Sequence, residues 1–327
     1  MLRRRVAQAL ERGALGGPVA RTLGSLWARA ADSARPVRLP PGVRVVGVGG
    51  ATLGGSGKTP LVLALARELA RTRRVAVVAS AYSARVRAPR VVRPSDDVGL
   101  VGDEALWLAR ALPNVPVVVG KDRTEALALA ARDVELVIVD GLLQARPERL
   151  ACSLLVLDER QPWGSGRCPP AGDLRAAPGE LLARADAVVM PRGSLLGART
   201  DQGELLSVAA LRGRRLGLAL AIARPERVLR DLRAQGVEPE LVATQADHGR
   251  FPAPHASDVE AWLTTPKCAT KLGSRHGGAP VWVLERPLIV PPALLGLVLG
   301  SGEASQERAS LASPGVSCET LSPSPGR

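Results

Sequence analysis

The clearest chemical pattern in the sequence is a glycine-rich run that ends in lysine and threonine. It consists of Gly54, Gly55, Ser56, Gly57, Lys58, Thr59 and Pro60. Glycines let the backbone curl so that several amide N–H groups point at one anion. The lysine would reach the β- and γ-phosphates of a nucleotide, and the threonine hydroxyl would be a ligand of Mg²⁺. The run therefore predicts a binding loop for a nucleoside triphosphate.

The neighbouring sequence supports this interpretation. The run follows the apolar segment Val43–Val48 and opens a helical segment, in whose first turn Pro60 loses no hydrogen bond. Thr52 stands where the general consensus has its first glycine, which leaves a glycine-rich turn with an incidental lysine as the alternative. Because Lys58 is one of only four lysines and lies between a strand and a helix, we favour the phosphate loop.

A second candidate ligand comes at the end of another apolar segment. Four apolar residues from Leu136 to Val139 are followed by Asp140. A carboxylate at the end of a strand beside a phosphate loop is where a nucleotide-binding site holds Mg²⁺. An aspartate that merely ends a strand in a turn is the alternative. Beside the phosphate loop we favour the metal role, with Thr59 and Asp140 as ligands.

Short apolar runs alternate with Ala/Leu-rich helical segments from residue 43 onward. The predicted strands are Val43–Val48, Val75–Ala79, Val117–Val119, Leu136–Asp140 and Ser153–Leu157, and the helices between them are Thr59–Leu69, Glu104–Leu112 and Arg123–Ala131. A second alternation has strands Leu216–Ile222, Leu241–Val242 and Val281–Leu284, with helices Pro225–Gln235 and Ser257–Leu263. Apolar strands separated by helices indicate a parallel sheet that is covered on both faces.

These elements predict an α/β fold: a P-loop, Rossmann-like parallel sheet domain with helices on both faces, and a smaller C-terminal α/β domain. We expect residues 37–205 to form the first domain and residues 206–300 the second. Residues 301–327 are rich in Ser, Pro and Gly, and we expect a disordered tail. Residues 1–36 contain seven arginines and two acids among Leu and Trp at helical spacing. They predict an amphipathic helical segment that either packs on its own domain or lies on an anionic bilayer.

Composition excludes several classes of protein. The 327 residues carry a formal net charge of +13, and 40 of the 44 basic residues are arginine. Aromatic residues make up 2%, too few for stacking on single-stranded nucleic acid, and no nucleic-acid-binding motif is present, so we expect no nucleic-acid partner. The four cysteines lack zinc spacing, and neither a signal peptide nor an apolar run long enough for a membrane span is evident.

Motifs spread along the chain resemble those of tetraacyldisaccharide 4'-kinases, which make the lipid A of Gram-negative bacteria. The family pattern "VGNITVGGTGKTP" is similar to the text from Val46 to Pro60, and it too has threonine at the place of Thr52. The other matching stretches are Val101–Glu104 ("VGDE"), Lys121–Arg123, Asp140–Gln144 ("DDGFQH"), Pro162–Gly166, Pro170–Arg175 ("PAGPLRE"), Ile222–Glu226, Asp247–His248 ("DH") and Thr264–Lys267 ("TTEK").

The resemblance implies transfer of the γ-phosphate of ATP, with Mg²⁺, to the 4'-hydroxyl of a membrane-embedded tetraacylated disaccharide 1-phosphate. It implies that Asp103 is the base and that His248 assists it. Arg123, Gln144 and Arg175 would face phosphates or the acceptor. It also implies a peripheral enzyme, which we expect to be a monomer, on the anionic cytoplasmic face of the inner membrane. From the residues alone, Asp103 could instead favour a helix N-terminus, and His248 could be a surface histidine.

Several positions depart from the family pattern. The family motif "SRGY" reads Ala79-Ser80-Ala81-Tyr82 here, so its arginine is absent. Gly141 and Ala145 replace the second acid and the histidine of "DDGFQH". Ala176 stands where the family motif "LRE" has glutamate, and Cys268 stands where the motif "TTEKD" has aspartate. Lost carboxylates weaken magnesium binding, and a lost arginine weakens anion binding. A divergent active kinase is our prediction, and a catalytically weakened or inactive nucleotide-binding relative is the alternative.

Overall fold

The structure is a computed structural model of the chain. It describes residues 36–141, 146–147, 150–251 and 258–300, and, near the N-terminus, only Leu10, Gly17, Thr22 and Leu23. The predicted N-terminal segment therefore lies almost wholly outside the described residues. Gln144 and the predicted tail at 301–327 also lie outside them.

A seven-stranded sheet forms the centre of the first part of the chain, which we call the first lobe. Its spatial order is β4-β5-β3-β6-β2-β8-β9, and all neighbours are parallel except β4 on β5. The strands are β2 (Arg44–Gly50), β3 (Val75–Ala79), β4 (Arg90–Val91), β5 (Val117–Val119), β6 (Leu136–Asp140), β8 (Cys152–Val156) and β9 (Ala187–Val189). Strands β1 (Pro36–Val37) and β7 (Arg146–Pro147) form a separate parallel pair.

Helices cover both faces of this sheet, as predicted. They are α1 (Lys58–Leu69), α2 (Val98–Val101), α3 (Asp103–Ala111), α4 (Arg123–Ala130) and α5 (Pro178–Ala183). Alternate residues of one strand point to opposite faces, so Ile138 of β6 packs in the core with α1 and α3, while Val137 packs in the core with α4. The α/β class with a parallel P-loop sheet is confirmed.

A second sheet forms the centre of the rest of the chain, the second lobe. Its order is β11-β10-β16-β14-β12-β13, with β15 paired to β16, and its inner strands are parallel. The strands are β10 (Gly197–Arg199), β11 (Leu205–Ser207), β12 (Leu216–Leu220), β13 (Leu241–Thr244), β14 (Ala261–Thr264), β15 (Arg275–His276) and β16 (Ala279–Glu285). The helices are α6 (Val208–Leu211), α7 (Pro225–Ala234), α8 (Pro266–Leu272) and α9 (Pro292–Leu299).

The predicted helix over Ser257–Leu263 is wrong. Its second half is the buried strand β14, which pairs with β12 on one side and with β16 on the other. A run as short as Ala261–Thr264 cannot show a helical or a strand period, so only its pairing partners decide its conformation.

The two sheets divide the chain somewhat differently from the domains that we expected from the sequence. Strand β10 already belongs to the second sheet, although it lies within residues 37–205. Helix α9 follows the last strand of the second sheet, yet Leu294 and Val298 pack in the core of the first. The division into domains at residues 205 and 206 stays a prediction.

A buried cluster of two arginines and two aspartates, the arginine clasp, fastens the second lobe to the first. Arg224 and Arg227, at the start of α7, face Asp158 and Asp173 of the first lobe. Arg224 Nη2 donates to Asp173 Oδ2 at 3.2 Å, and the side chains of Arg224 and both aspartates are at most 6% exposed. Arg227 Nη1 donates to the carbonyl oxygen of Gly55 at 2.7 Å. The clasp thus ties α7 directly to the predicted phosphate loop.

Replacing Arg224 by methionine should destabilise the protein by about 3–5 kcal/mol, because the buried Asp173 loses its guanidinium partner and the buried Asp158 loses one of its two. The midpoint of urea unfolding measures the loss. Arg233→Met is the matched control, since Arg233 lies on the same helix α7 and pairs with Glu238 while both side chains are more than half exposed. That exposed pair should contribute less than about 1 kcal/mol. Equal losses in the two variants would contradict a role for burial in the clasp.

Candidate active site

The glycine-rich run forms a tight loop between the end of β2 and the start of α1. Gly55 and Gly57 have φ angles of 75° and 87°, a left-handed conformation that glycine adopts without strain. Gly57 is the N-cap of α1, and no side chain in the described part of the chain caps the first turn of that helix. The amide N–H groups of this turn therefore face the loop, where they and the helix dipole attract an anion.

Two groups of opposite charge, the buried Asp140 and the half-buried Lys58, stand beside this loop. Thr59 Oγ1 donates to Asp140 Oδ2 at 2.8 Å. Asp140 is 0% exposed, and its Oδ1 has no hydrogen-bond partner among the described residues. Burial raises the pKa of Asp140 in spite of Lys58, and burial lowers the pKa of Lys58 in spite of Asp140. Additional opposite charges bound in the loop would therefore stabilise the ionised forms of both side chains.

These residues fit a magnesium triphosphate. A lysine and free amide N–H groups suit phosphate oxygens, while a hydroxyl and an unpartnered carboxylate oxygen suit Mg²⁺. Among the residues that the structure describes, no group of three or more His, Cys, Asp or Glu side chains could hold a metal by itself. Mg²⁺ commonly binds through one or two protein ligands and completes its shell with phosphate and water.

Asp103 and His248 meet although 145 positions separate them in the chain. Asp103 is the first residue of α3 in the first lobe, and His248 follows β13 in the second. His248 Nδ1 lies 2.8 Å from Asp103 Oδ1, which also accepts from Ser83 Oγ at 3.3 Å and from the amide of Glu104 at 3.0 Å. A carboxylate held by an imidazole in this way has the geometry of an oriented general base.

Two lysines of α8 complete the surroundings of this pair. Lys271 Nζ donates to Asp103 Oδ2 at 2.8 Å. Lys267 Nζ donates to Asp247 Oδ1 at 2.8 Å and to Glu104 Oε1 at 3.2 Å. Burial disfavours the charged lysine, but Glu104, Asp247 and Asp103 outweigh it and raise the pKa of Lys267.

The pKa of Asp103 lies well below its ordinary value. Burial alone would raise this pKa, because it disfavours the charged carboxylate. The hydrogen bond with His248 and the charges of Lys267, His248 and Lys271 outweigh that effect. Asp103 is therefore ionised at neutral pH, as a group that accepts a proton must be.

The phosphate loop and the Asp103 cluster face each other across one small space. A Cβ atom on Gly54 would lie 3.4 Å from Asp247 Oδ2, one residue before His248. Glu104 and Lys267 also contribute to the electrostatic surroundings of Lys58. The tertiary structure thus brings together the phosphate loop, Asp140, Asp103 and His248.

The two arginines expected to face phosphates or the acceptor bond to backbone carbonyls. Arg123 donates to the oxygens of Ala79 and Asp140, both at 3.1 Å. Arg175 donates to the oxygens of Thr52 at 2.7 Å and Leu53 at 3.0 Å. Burial lowers the pKa of both arginines, and Asp140 opposes this shift in each. These bonds hold the ends of β3 and β6 and the turn before the phosphate loop, and a role toward substrate stays a prediction.

Sequence reasoning missed the roles of Lys267, Lys271 and Ser83. The rarity of lysine was the available signal, because two of the four lysines lie four positions apart on one short helix. Residues four apart share a helix face, so a common partner could have been expected. That partner is the Asp103–Glu104 pair of the other lobe, which no spacing in the sequence indicates.

Comparison with known proteins identifies the family. The chain matches the family model described as tetraacyldisaccharide-1-P 4'-kinase over residues 21–300. The tetraacyldisaccharide 4'-kinase of Chromobacterium violaceum is 37% identical over 290 residues, which cover 80% of this chain and 84% of that protein. The enzyme of Geobacter sulfurreducens is 33% identical over 318 residues, which cover 85% and 89% of the two chains.

A solved structure is similar in fold. LpxK from Aquifex aeolicus, crystallised in complex with ATP, superposes with a TM-score of 0.66 at 23% identity and covers 92% of this chain and 99% of its own. This likeness extends over both lobes and is evidence of the fold. Together with the family match and the curated relatives, it confirms the resemblance that the motifs carry: this chain belongs to the tetraacyldisaccharide 4'-kinase family.

Proposed function

We propose that this protein transfers the γ-phosphate of ATP to the 4'-hydroxyl of a tetraacylated glucosamine disaccharide 1-phosphate, which forms the lipid IVA precursor of lipid A. The observation that carries the proposal is the 2.8 Å contact between Asp103 and His248 across the two lobes, beside the phosphate loop. A kinase for an alcohol needs such an oriented base at the nucleotide phosphates.

In the proposed reaction, the phosphate loop and Lys58 hold the triphosphate, while Thr59 and Asp140 hold Mg²⁺. Mg²⁺, when bound there, would neutralise negative charge on the phosphates. The Lys58 ammonium and the first-turn amides of α1 orient the γ-phosphate toward the Asp103 cluster. Catalysis here is mainly positioning and charge stabilisation, because phosphoryl transfer needs little covalent help from the protein.

Asp103 takes the proton of the acceptor hydroxyl. As the proton moves to the carboxylate, an oxygen electron pair of the hydroxyl forms the new bond to the γ-phosphorus, and the bond from phosphorus to the bridging oxygen of ADP breaks. His248 orients the carboxylate through Oδ1. Asp103 is 2% exposed beneath the second lobe, so the acceptor reaches it when the lobes part and then close around both substrates.

The acceptor places the reaction at a membrane. Because its acyl chains hold it in the bilayer, we propose a peripheral enzyme on the cytoplasmic face of the bacterial inner membrane, with the basic N-terminal segment as its contact with anionic lipid. Within the described ranges, no helix has both the length and the apolar character that a bilayer crossing needs. The monomeric state expected from the sequence stays a prediction.

A catalytically weakened relative is the second candidate function, and the lost carboxylate at Gly141 favours it. Gly141 directly follows Asp140, and a Cβ atom there would lie 3.7 Å from Arg123 Nη2. An acid at this position would therefore meet a guanidinium and stand beside the magnesium ligands. Gly141 has a φ of 86°, which glycine tolerates better than aspartate, so the replacement relieves backbone strain.

A transfer assay separates the two candidates. Purified protein with γ-labelled ATP and Mg²⁺ should label the tetraacylated disaccharide 1-phosphate in detergent micelles. Asp103→Asn should lower the rate by about 10²–10⁴-fold, because it removes the proton acceptor, and should keep ATP binding measured by calorimetry. Lys58→Ala should lose both ATP binding and transfer. Arg71→Ala is the control: Arg71 lies in the turn after α1 with an exposed side chain, and its replacement should change neither property. Tight ATP binding by the unaltered protein without any labelled lipid would refute the kinase and leave the weakened relative.

The magnesium requirement tests the role of Asp140. Asp140→Asn keeps the size and the bond with Thr59 but removes the negative charge, so half-maximal transfer should need at least about tenfold more Mg²⁺. A magnesium titration at saturating ATP measures this shift, and a chelator should abolish transfer in both proteins. Asp133→Asn, at an exposed position of the same lobe, is the control and should keep the original requirement. An unchanged requirement in Asp140→Asn would remove this residue from the metal site.

A further inference from the structure

Lys271 contacts the base at the one carboxylate oxygen that the rest of the site leaves open. Oδ1 of Asp103 already accepts from Ser83 and from the amide of Glu104, and it contacts His248 Nδ1. The contact that the structure records at Oδ2 is Lys271 Nζ, at 2.8 Å. The two oxygens therefore have different surroundings: Oδ1 is held in place, and Oδ2 faces a single ammonium group.

The pair is formed across the lobes and away from water. Lys271 lies at the C-terminal end of α8 in the second lobe, and its side chain is 7% exposed. An ammonium group in such a place stabilises the ionised carboxylate far more than an exposed one would. Because the two residues belong to different lobes, the pair exists only when α8 lies against α3.

We infer that Lys271 is a positioning residue of the transfer reaction: it keeps Oδ2 of Asp103 ionised and directed at the acceptor hydroxyl when the lobes are closed. This inference rests on the proposed function and adds a third member to the Asp103–His248 pair. Oδ2 is the oxygen that takes the proton, since Oδ1 has its lone pairs occupied. Lys271 acts through Asp103 and does not touch the reacting atoms.

Other charged groups around Asp103 also act on its charge, but the bond recorded at Oδ2 among the described residues is that of Lys271. On α8, Lys267 bonds to Asp247 and Glu104 rather than to the Asp103 carboxylate. On the loop after β13, His248 contacts the opposite oxygen, Oδ1. Asp247 Oδ2 lies 3.5 Å from Nε2 of His248. On α3, Glu104 offers Asp103 only its amide, and Ser83 offers a neutral hydroxyl. Removal of Lys271 thus leaves Oδ2 without its adjacent positive charge.

Lys271→Met should lower kcat for transfer by at least about tenfold, because Oδ2 loses the group that directs it at the acceptor hydroxyl. The KM for ATP should stay unchanged, since the phosphate loop is untouched. Loss of the positive charge disfavours the carboxylate, so the acid limb of the kcat/KM profile should move to higher pH by at least about one unit. Lys271→Arg keeps the charge and should restore most of kcat and the original acid limb. An acid limb that does not move, or a charge-preserving variant that rescues nothing, would overturn the inference.

Thr270→Val is the matched control for damage to α8. Thr270 Oγ1 donates to the backbone oxygen of Lys267 within the same helix, and valine keeps its shape without altering any charge. This variant should lose a little thermal stability and keep the wild-type pH profile. A shifted acid limb in Thr270→Val would show that loosening α8 is sufficient, and would count against a role for the Lys271 charge.

A readout that needs no turnover separates this inference from the proposed function. In protein with ¹³C-labelled aspartate carboxyl groups, the Asp103 signal is assigned by its loss in Asp103→Asn. Its titration midpoint should rise by at least about one pH unit in Lys271→Met and return toward the wild-type value in Lys271→Arg. Equal midpoints in wild type and Lys271→Met would refute the effect of Lys271 on Asp103. Absence of lipid labelling by the wild-type protein would refute only the proposed function.

Discussion

The buried carboxylate of Asp103 is the group on which the arrangement of the two lobes depends. A charge that is 2% exposed is tolerated only when donors surround it, because its desolvation costs several kcal/mol. Its own lobe supplies a hydroxyl and one backbone amide, and the second lobe supplies His248 and Lys271. The interactions that keep Asp103 ionised therefore also join the lobes. In the proposed reaction, closure of the lobes and activation of Asp103 would depend on the same contacts.

The phosphate loop, on the opposite side of the site, also holds charges that are removed from water. Asp140 is fully buried and Lys58 is half-buried, and desolvation moves the pKa of each toward neutrality. Each charge is stabilised by the other, and a bound triphosphate with its metal would add the counter-charges that remain missing. The loop itself is braced by Arg227, whose guanidinium bonds to the carbonyl of Gly55. A change in the position of α7 would thus reach the phosphate loop through one hydrogen bond.

Arginine, which dominates the basic residues of this chain, acts at the site mainly through the backbone. Arg123 and Arg175 hold carbonyl groups at the ends of strands, and Arg224 fills the space between two aspartates. Asp173 stands where the family text "PAGPLRE" has proline, and this departure provides Arg224 with a buried partner. The same aspartate accepts from the amide and the hydroxyl of Ser165. This departure therefore strengthens the junction of the lobes, in contrast to the lost acid at Gly141.

The amino-acid sequence by itself determined the local structures and the family. Apolar runs of strand length, helical segments between them and the glycine-rich loop depend on neighbours in the chain, so their positions could be predicted to within a few residues. Several short elements were not predicted in this way: β14 was predicted as a helix, and β9, α8 and α9 were not predicted at all. The conformation of β14 depends on its pairing with β12 and β16. Asp103 and His248 were identified through resemblance, but their contact was not predictable from spacing. Only the tertiary structure decided that Lys271 meets Asp103, that Arg123 and Arg175 bond to carbonyls, and that α9 returns to the first lobe. The physical reason is that burial and ion pairing act between groups that are close in space, and two folded lobes bring together residues that the chain keeps far apart.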